Sequence, residues 1–373
     1  MIKRAFAGSI VLASVLLFSS CSKDTETVYQ PYTVPETYKF ENVEYAEAEA
    51  SVNMWSALNT YLGKSTSRQL SQDTVNYLWN NTNNAFTAEM VSNTSNVVVL
   101  PFTTTQLNGA GFNLAAKTTD AATFKAAMDT LVLHSKLTTT ASAGVAGKIG
   151  TRLVSYKGLE YSQLVNKGLM GAFAMKQVFA YLDKVASDDN NTVVAGKGTA
   201  MQHDWDLAFG YIGIPKSYDS SLVYANTDLA RPLGIGGYFR ERGRYIKAGG
   251  TVFTAFLKGR AAIAAKDYAG RDAAIAVIKE YLEKTFAAAA WNYVTAPQAA
   301  GLSLDNRLHQ LSEGYGFVLA LKYRAAGSKL SAANYQTLSN IMNTSFHDLI
   351  GEASFDKLKQ AQTILTNAYG QLQ

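Results

Sequence analysis

Apolar residues recur at three-to-four spacing along most of this chain, and that period predicts its helices. From Asn42 to Leu62 the positions Val43, Ala46, Ala50, Met54, Trp55, Leu58 and Leu62 are apolar and face Glu44, Glu47 and Glu49. This is an amphipathic helix, which Gly63 in a left-handed cap position would end. Ser71-Gln72-Asp73 supplies capping residues for a short helix through Trp79. The period returns at Asp120–Leu137, with Phe124, Met128 and Leu131 on the apolar side and His134 as a structural histidine near its end. Ser155–Val185 reads as one long helix, apolar nearly all round and therefore central to a bundle. Glycines 158, 168 and 171 within it cost about 1 kcal/mol each relative to Ala, so close backbone packing is their expected reason. Glu160, Gln163 and Lys167 form a polar line along it, and buried polar lines need partners.

Further along, Thr251–Ala265 and Asp267–Ala290 read as an antiparallel helix pair. A helix carrying His309 to Phe317 follows Pro297, and Ser331–His347 and Ser354–Leu372 close the chain. Between these segments, Asn80–Thr118 is rich in Asn, Thr and Gly with one β-branched run at Val97–Leu100. A small hairpin or irregular excursion near 90–115 is the only strand expected. The Thr/Gly/Ala run 138–150 reads as a helix break. The fold class is therefore all-α, a helical bundle with two packed bundle-like halves.

The N-terminus changes the picture of where such a bundle works. Lys3 and Arg4 precede an apolar run Ala5–Phe18 and then Ser19-Ser20-Cys21, the layout of a secretory signal. The run is shorter than the roughly 18–20 residues of a membrane span. Cys21, the only cysteine of the 373 residues, stands where a lipoprotein is cleaved and lipidated, and a lone cysteine excludes a disulfide framework. Residues 1–20 are thus expected to be a signal peptide, 21–40 a flexible tether, and 41–373 a single helical domain. Loss of Lys3 and Arg4 lowers the formal charge of +5 by two. That near-neutral balance and the lack of a long basic run exclude nucleic acid as a partner. The expected location is the outer membrane, through a lipid anchor, on its periplasmic or surface-exposed face.

Candidate chemistry gathers on three helices. In Gly196–Pro215, His203-Asp204-Trp205-Asp206 is the densest cluster of functional groups, and His203 and Asp206 lie three apart on one helix face. Glu160 belongs to the long helix, and His309 and Glu313 stand four apart on another. Carboxylate and His pairs on facing helices build metal sites in bundles, and this set would suit Fe or Zn. The expectation is that His203, Asp206, Glu160, His309 and Glu313 converge in one pocket. The competing reading makes each pair a buried structural contact. Arg240, Arg242 and Arg244 form either an anion clamp or a solvated helix face. No HExxH signature, phosphate-binding Gly-rich loop or Ser/His/Asp order occurs, so no catalytic residue is assigned.

The segments KGLEYSQLVNKGLMGAF (157–173), GTAMQHDWDLAFGY (198–211) and LHQLSEGYGFVLALKYR (308–324) resemble the recurrent blocks of an uncharacterised, imelysin-like lipoprotein family of Gram-negative bacteria. The resemblance implies a single all-helical unit of two bundle-like halves and an association with iron or haem acquisition. Imelysins carry a GxHxxE block; here Gly198 does not stand two before the histidine and Asp206 replaces the glutamate, so only His203 and Asp206 take over a metal role. The functions expected are capture of a metal or metal-bearing ligand such as haem at the outer membrane, a metal-dependent hydrolase or peptidase using the same residues, or a structural or glycan-contacting surface lipoprotein.

Overall fold

The computed structural model describes residues 31–93 and 98–373. The segment expected as a signal peptide, Cys21 and Val97 lie outside them. Helix α1 (Ala46–Leu62) begins after Glu44, whose carboxylate accepts a hydrogen bond from the Ala46 N–H at 3.0 Å. Gly63 is not left-handed: at φ −60° it continues the chain into a 3-10 turn, Gly63–Thr66. Helix α2 (Gln72–Asn80) is capped by the Ser71 hydroxyl and ends at a left-handed Asn81.

The Asn-rich excursion holds α3 (Ala88–Val91), an antiparallel pair β1 (Ser92–Asn93) and β2 (Val98–Val99), α4 (Thr104–Asn108) and α5 (Leu114–Lys117). Its amide side chains satisfy its irregular backbone. Asn81 Nδ2 donates to the carbonyls of Leu107 and Phe112, and Asn108 pairs with both backbone groups of Phe86.

Helix α6 (Ala121–His134) is followed by a second hairpin, β3 (Gly147–Ile149) with β4 (Arg152–Val154). Strand is therefore not confined to 90–115. The run read as a helix break turns at Gly150, φ +54°, and the Lys148 N–H donates to the Thr139 carbonyl at 2.9 Å. Segments of three residues are too short for alternation to announce them.

The expected long helix 155–185 is three pieces: α7 (Tyr161–Leu169), a π-helical segment Met170–Met175, and α8 (Lys176–Lys184). Gly158, at φ +87°, belongs to the turn before α7. Helix α9 (Ala200–Ile212) opens with a capping box between Thr199 and Gln202. Then come α10 (Ile235–Glu241), α11 (Ala248–Ala265) and α12 (Tyr268–Thr295), whose cap Asp267 accepts from the Gly270 N–H. The chain closes with α13 (Leu304–Ala320), α14 (Ala332–Met342), α15 (Phe346–Gly351) and α16 (Asp356–Tyr369).

Helix α12 packs against α11, α13 and α16, and α13 packs in turn on α7 and α14. On the other side α9 lies against α1, α8 and α11. The buried apolar side chains from Tyr38 to Leu372 form one connected core, so the all-α bundle read from the period is the fold. Part of the stretch expected as a tether is packed on this core. Tyr38 is wholly buried, stacks on Phe209 with centroids 3.7 Å apart, and its N–H donates to the Lys216 carbonyl. Among the described residues no helix is long and apolar enough to cross a membrane.

Candidate functional site

The polar line on α7 finds its partners on α13. The Glu160 N–H donates to the Ser312 hydroxyl at 2.9 Å, which fixes the first turn of α7 against α13. The Glu160 carboxylate lies 3.1 and 3.2 Å from His309 Nδ1 and 3.8 Å from Arg152 Nε. The other ring nitrogen of His309 is 3.8 Å from Glu313, and Glu313 lies 3.2 Å from the Lys167 ammonium. Three of the five candidate ligands therefore meet, in the order Glu160, His309, Glu313.

Burial pushes the Glu313 carboxyl up, but the charges of Lys167 and His309 and the nearby Tyr293 hydroxyl outweigh it and hold the group below the ordinary carboxylate range. A depressed folded value means that Glu313 adds stability above the unfolded carboxylate range and loses it as pH falls through its folded value. Glu313→Gln is accordingly expected to cost about 1.5–3 kcal/mol at pH 7. The difference from wild type should shrink towards pH 3; urea unfolding at pH 7, 5 and 3 measures it, and a constant difference would contradict the assignment.

His203 and Asp206 go elsewhere. Asp206 Oδ1 accepts from the Tyr38 hydroxyl at 2.6 Å and from Arg260 Nε at 2.9 Å, with Asp206 and Arg260 both fully buried. His203, only partly buried, has Nδ1 3.7 Å from Glu44. Among the described residues no hydrogen bond or ion pair links this pair to Glu160, His309 or Glu313. Helix α9 packs chiefly against α1, α8 and α11, and its polar face meets the Tyr38 segment. The arginines of the expected clamp also diverge. Arg240 is exposed, Arg242 lies beside Glu241 and over the Tyr293 ring, and Arg244 is exposed and hydrogen-bonded to the Tyr245 hydroxyl.

These placements do not fit a bound Fe or Zn ion. Among the described residues no group of three or more His, Cys, Asp and Glu side chains is disposed to hold one. The reason is chemical: Arg152, Lys167 and Arg260 already stand at Glu160, Glu313 and Asp206, and a fixed cation at each carboxylate repels another.

The α7–α13 network instead opens onto a pocket of about 280 Å³. Lys167 and Tyr238 form part of its wall, with the ammonium 5.0 Å from the Tyr238 ring centre. The Tyr293 hydroxyl donates to Glu241, another wall residue, at 2.8 Å. Met170, the first residue of the π-helical segment, closes one side, and such segments recur at functional sites. Helix α1 contributes Trp55, Ser56, Asn59 and Thr60, and the loop before α10 contributes Arg231 and Gly234. Gly234 sits at φ +53°, and a Cβ there would meet the Trp55 ring at 2.4 Å.

Three buried polar atoms of this lining, Trp55 Nε1, Asn59 Oδ1 and Arg231 Nε, have no hydrogen-bond partner. Buried polar atoms in native proteins are nearly always paired, so such a group points to a missing partner. Arg231 has no ion pair among the described residues, and burial lowers its basicity. Lys167 is answered by Glu313, and Glu241 by Arg242 at 3.7 Å. Arg231 is the charge of the pocket left to be met.

Sequence reasoning identified Glu160, His309 and Glu313 but not Trp55, Asn59, Arg231, Tyr238 or Glu241. Trp55 and Asn59 sit in an ordinary amphipathic repeat, and Arg231 in an irregular loop, where no spacing marks them. No curated protein and no solved structure matches the chain. One family model does, over residues 35–367, nearly all of the described bundle, and the chain belongs to that family, described as a domain of unknown function (DUF4856).

Proposed function

We propose that this is a binding protein, anchored to the outer membrane by lipid on Cys21, that captures a small hydrophilic carboxylate in the pocket beneath Arg231. The observation that carries this is the half-buried Arg231 guanidinium without an anionic partner, in a wall where Trp55 Nε1 and Asn59 Oδ1 are also unpaired. A guanidinium suits a carboxylate in two-point contact, and Ser56, Thr60, Asn59 and Asn166 offer hydroxyl and amide groups for the rest of the ligand. A volume of about 280 Å³ is at the low end of small-molecule sites, the size of a sugar acid or an amino acid. Among the described residues no hydroxyl hydrogen-bonds a histidine, which favours binding over nucleophilic turnover. The signal-like N-terminal segment supports capture at the cell envelope. Direct metal coordination is not part of the proposal, because the carboxylates it would use are held by Arg152, Lys167 and Arg260.

Calorimetric titration tests this, with glucuronate and glucose as a matched acid and neutral pair. Glucuronate is expected to bind at least tenfold more tightly than glucose. Arg231→Ala should remove about 1.5–3 kcal/mol of that binding, the worth of hydrogen bonds to a charged group, while leaving the helical circular dichroism unchanged. Equal affinity for acid and neutral sugar would overturn the proposal. So would a stoichiometric Fe or Zn content that His309→Ala abolishes.

A further inference from the structure

A second cavity, of about 930 Å³, lies between α11 and α12 and shares no residue with the pocket beneath Arg231. Its floor is made of small residues from both helices, among them Gly250, Ala255, Ala273 and Ala274. Gly249 also belongs to it, and a Cβ there would meet the Tyr218 hydroxyl at 2.3 Å, so this end of α11 is packed closely against Tyr218. Val34, Phe239 and Val277 add apolar wall.

The charged side chains that line this hollow are all of one sign; the Asp267 carboxylate lies behind the lining, accepting from the Tyr32 hydroxyl and the Gly270 N–H. Among the described residues Arg244, Lys247 and Lys258 line it, and no Asp or Glu does. None of the three has an ion pair among the described residues, and the hydrogen bond of the Arg244 guanidinium goes to its own neighbour, Tyr245. Beyond Ser220 at the rim the chain exposes Leu222 and Val223, at 52 % and 73 % of their surface. Three unanswered cations at an apolar trough repel one another and favour an anion. The trough itself gains only from an apolar body. A free inorganic anion would leave the trough empty, and a neutral hydrocarbon would leave the cations unmet.

We propose that this cavity binds a single-chain amphiphile with an anionic head, the chain lying along the small-residue floor between α11 and α12 and the head meeting Arg244, Lys247 and Lys258. The site is independent of the pocket beneath Arg231, so either proposal can fail alone.

Equilibrium dialysis of the full chain against radiolabelled laurate, below its micelle concentration, tests it. Saturable binding near one laurate per chain is expected. An equal concentration of dodecyl maltoside, or of inorganic phosphate, should displace less than a tenth of it. The triple variant Arg244→Gln, Lys247→Gln, Lys258→Gln should weaken binding at least tenfold, and Thr254→Trp, which fills the mouth from an exposed position, should abolish it. Lack of saturable binding overturns the proposal, as does unchanged affinity in both variants. Full displacement by phosphate would show an ion site only, and full displacement by dodecyl maltoside an apolar site only; each also overturns it. Should a variant fail to fold by circular dichroism, the two competition arms decide.

Discussion

Arg260→Met is expected to lower the unfolding free energy by about 3–5 kcal/mol at pH 8, the usual loss when one member of a buried ion pair is removed. Arg260 is 2 % exposed and Asp206 not at all, so the carboxylate left behind has no water to turn to. Its second oxygen, Oδ2, is already without a partner. The effect should depend on pH with a defined sign. Burial pushes the Asp206 carboxyl up to about 6, against the opposing pull of Arg260 and Tyr38. A raised folded value means that the protonated group favours the fold, fully below the unfolded value near 3.8, and that this contribution is lost as pH rises through about 6. Without Arg260 the folded value rises further, so the variant should lose distinctly less stability at pH 5 than at pH 8. The double variant Asp206→Leu with Arg260→Met should recover at least half of the loss, the Tyr38 hydroxyl having lost its acceptor. Denaturant unfolding at both pH values measures all of this; an equal loss at pH 5 and pH 8 would show that no ionised Asp206 is left unpaired.

Two glycine substitutions should differ in sign. At Gly171, in the π-helical segment, an added Cβ would stand 2.4 Å from both Cα and O of Ala320, which are backbone atoms of α13 and cannot swing aside. Gly171→Ala is expected to destabilise the protein by about 3 kcal/mol, the upper part of the overpacking range, although Ala is the better helix former by about 1 kcal/mol. Displacement of this segment also moves Met170, so ligand binding in the pocket beneath Arg231 should weaken with it. At Gly63 nothing lies within 4 Å and φ is −60°. Gly63→Ala should therefore stabilise by about 0.4–1 kcal/mol, through the entropy of the unfolded chain. Thermal melts of the two variants side by side test the packing argument, and a neutral Gly171→Ala would refute it.

The π-helical segment shows why the apolar period stopped short of the geometry. Periodicity reports which side of a helix is apolar, and 155–185 is apolar nearly all round, so it carries no phase that could reveal a change of pitch at Met170–Met175 or a start delayed to Tyr161. The cost of Gly171 did point to close backbone contact, and Ala320 is that contact. At the strand hairpin of β3 and β4 the failure is one of length, three residues a side being below what alternation can mark. The packing of Tyr38 on the core was not legible, because composition does not say that a hydroxyl 168 residues away from Asp206 in sequence donates to it.

For the chemistry, spacing along one helix is local and was legible: His309 and Glu313 share a face of α13, and His203 and Asp206 belong to one turn of α9. Which helices face each other is not local. Docking of α7 on α13 joined Glu160 to His309, whereas docking of α9 on α1 and α11 turned Asp206 to Tyr38 and Arg260. The sequence by itself determined the helical class, the polar line of Glu160, Gln163 and Lys167, and its need for partners, because backbone period and burial of polar groups are constraints each segment carries alone. Tertiary structure decided the partners, the split of the five expected ligands, and the pocket in which Trp55 Nε1, Asn59 Oδ1 and Arg231 Nε stand unpaired, because a concave site is made by residues distant in the chain whose separations no pattern along it records.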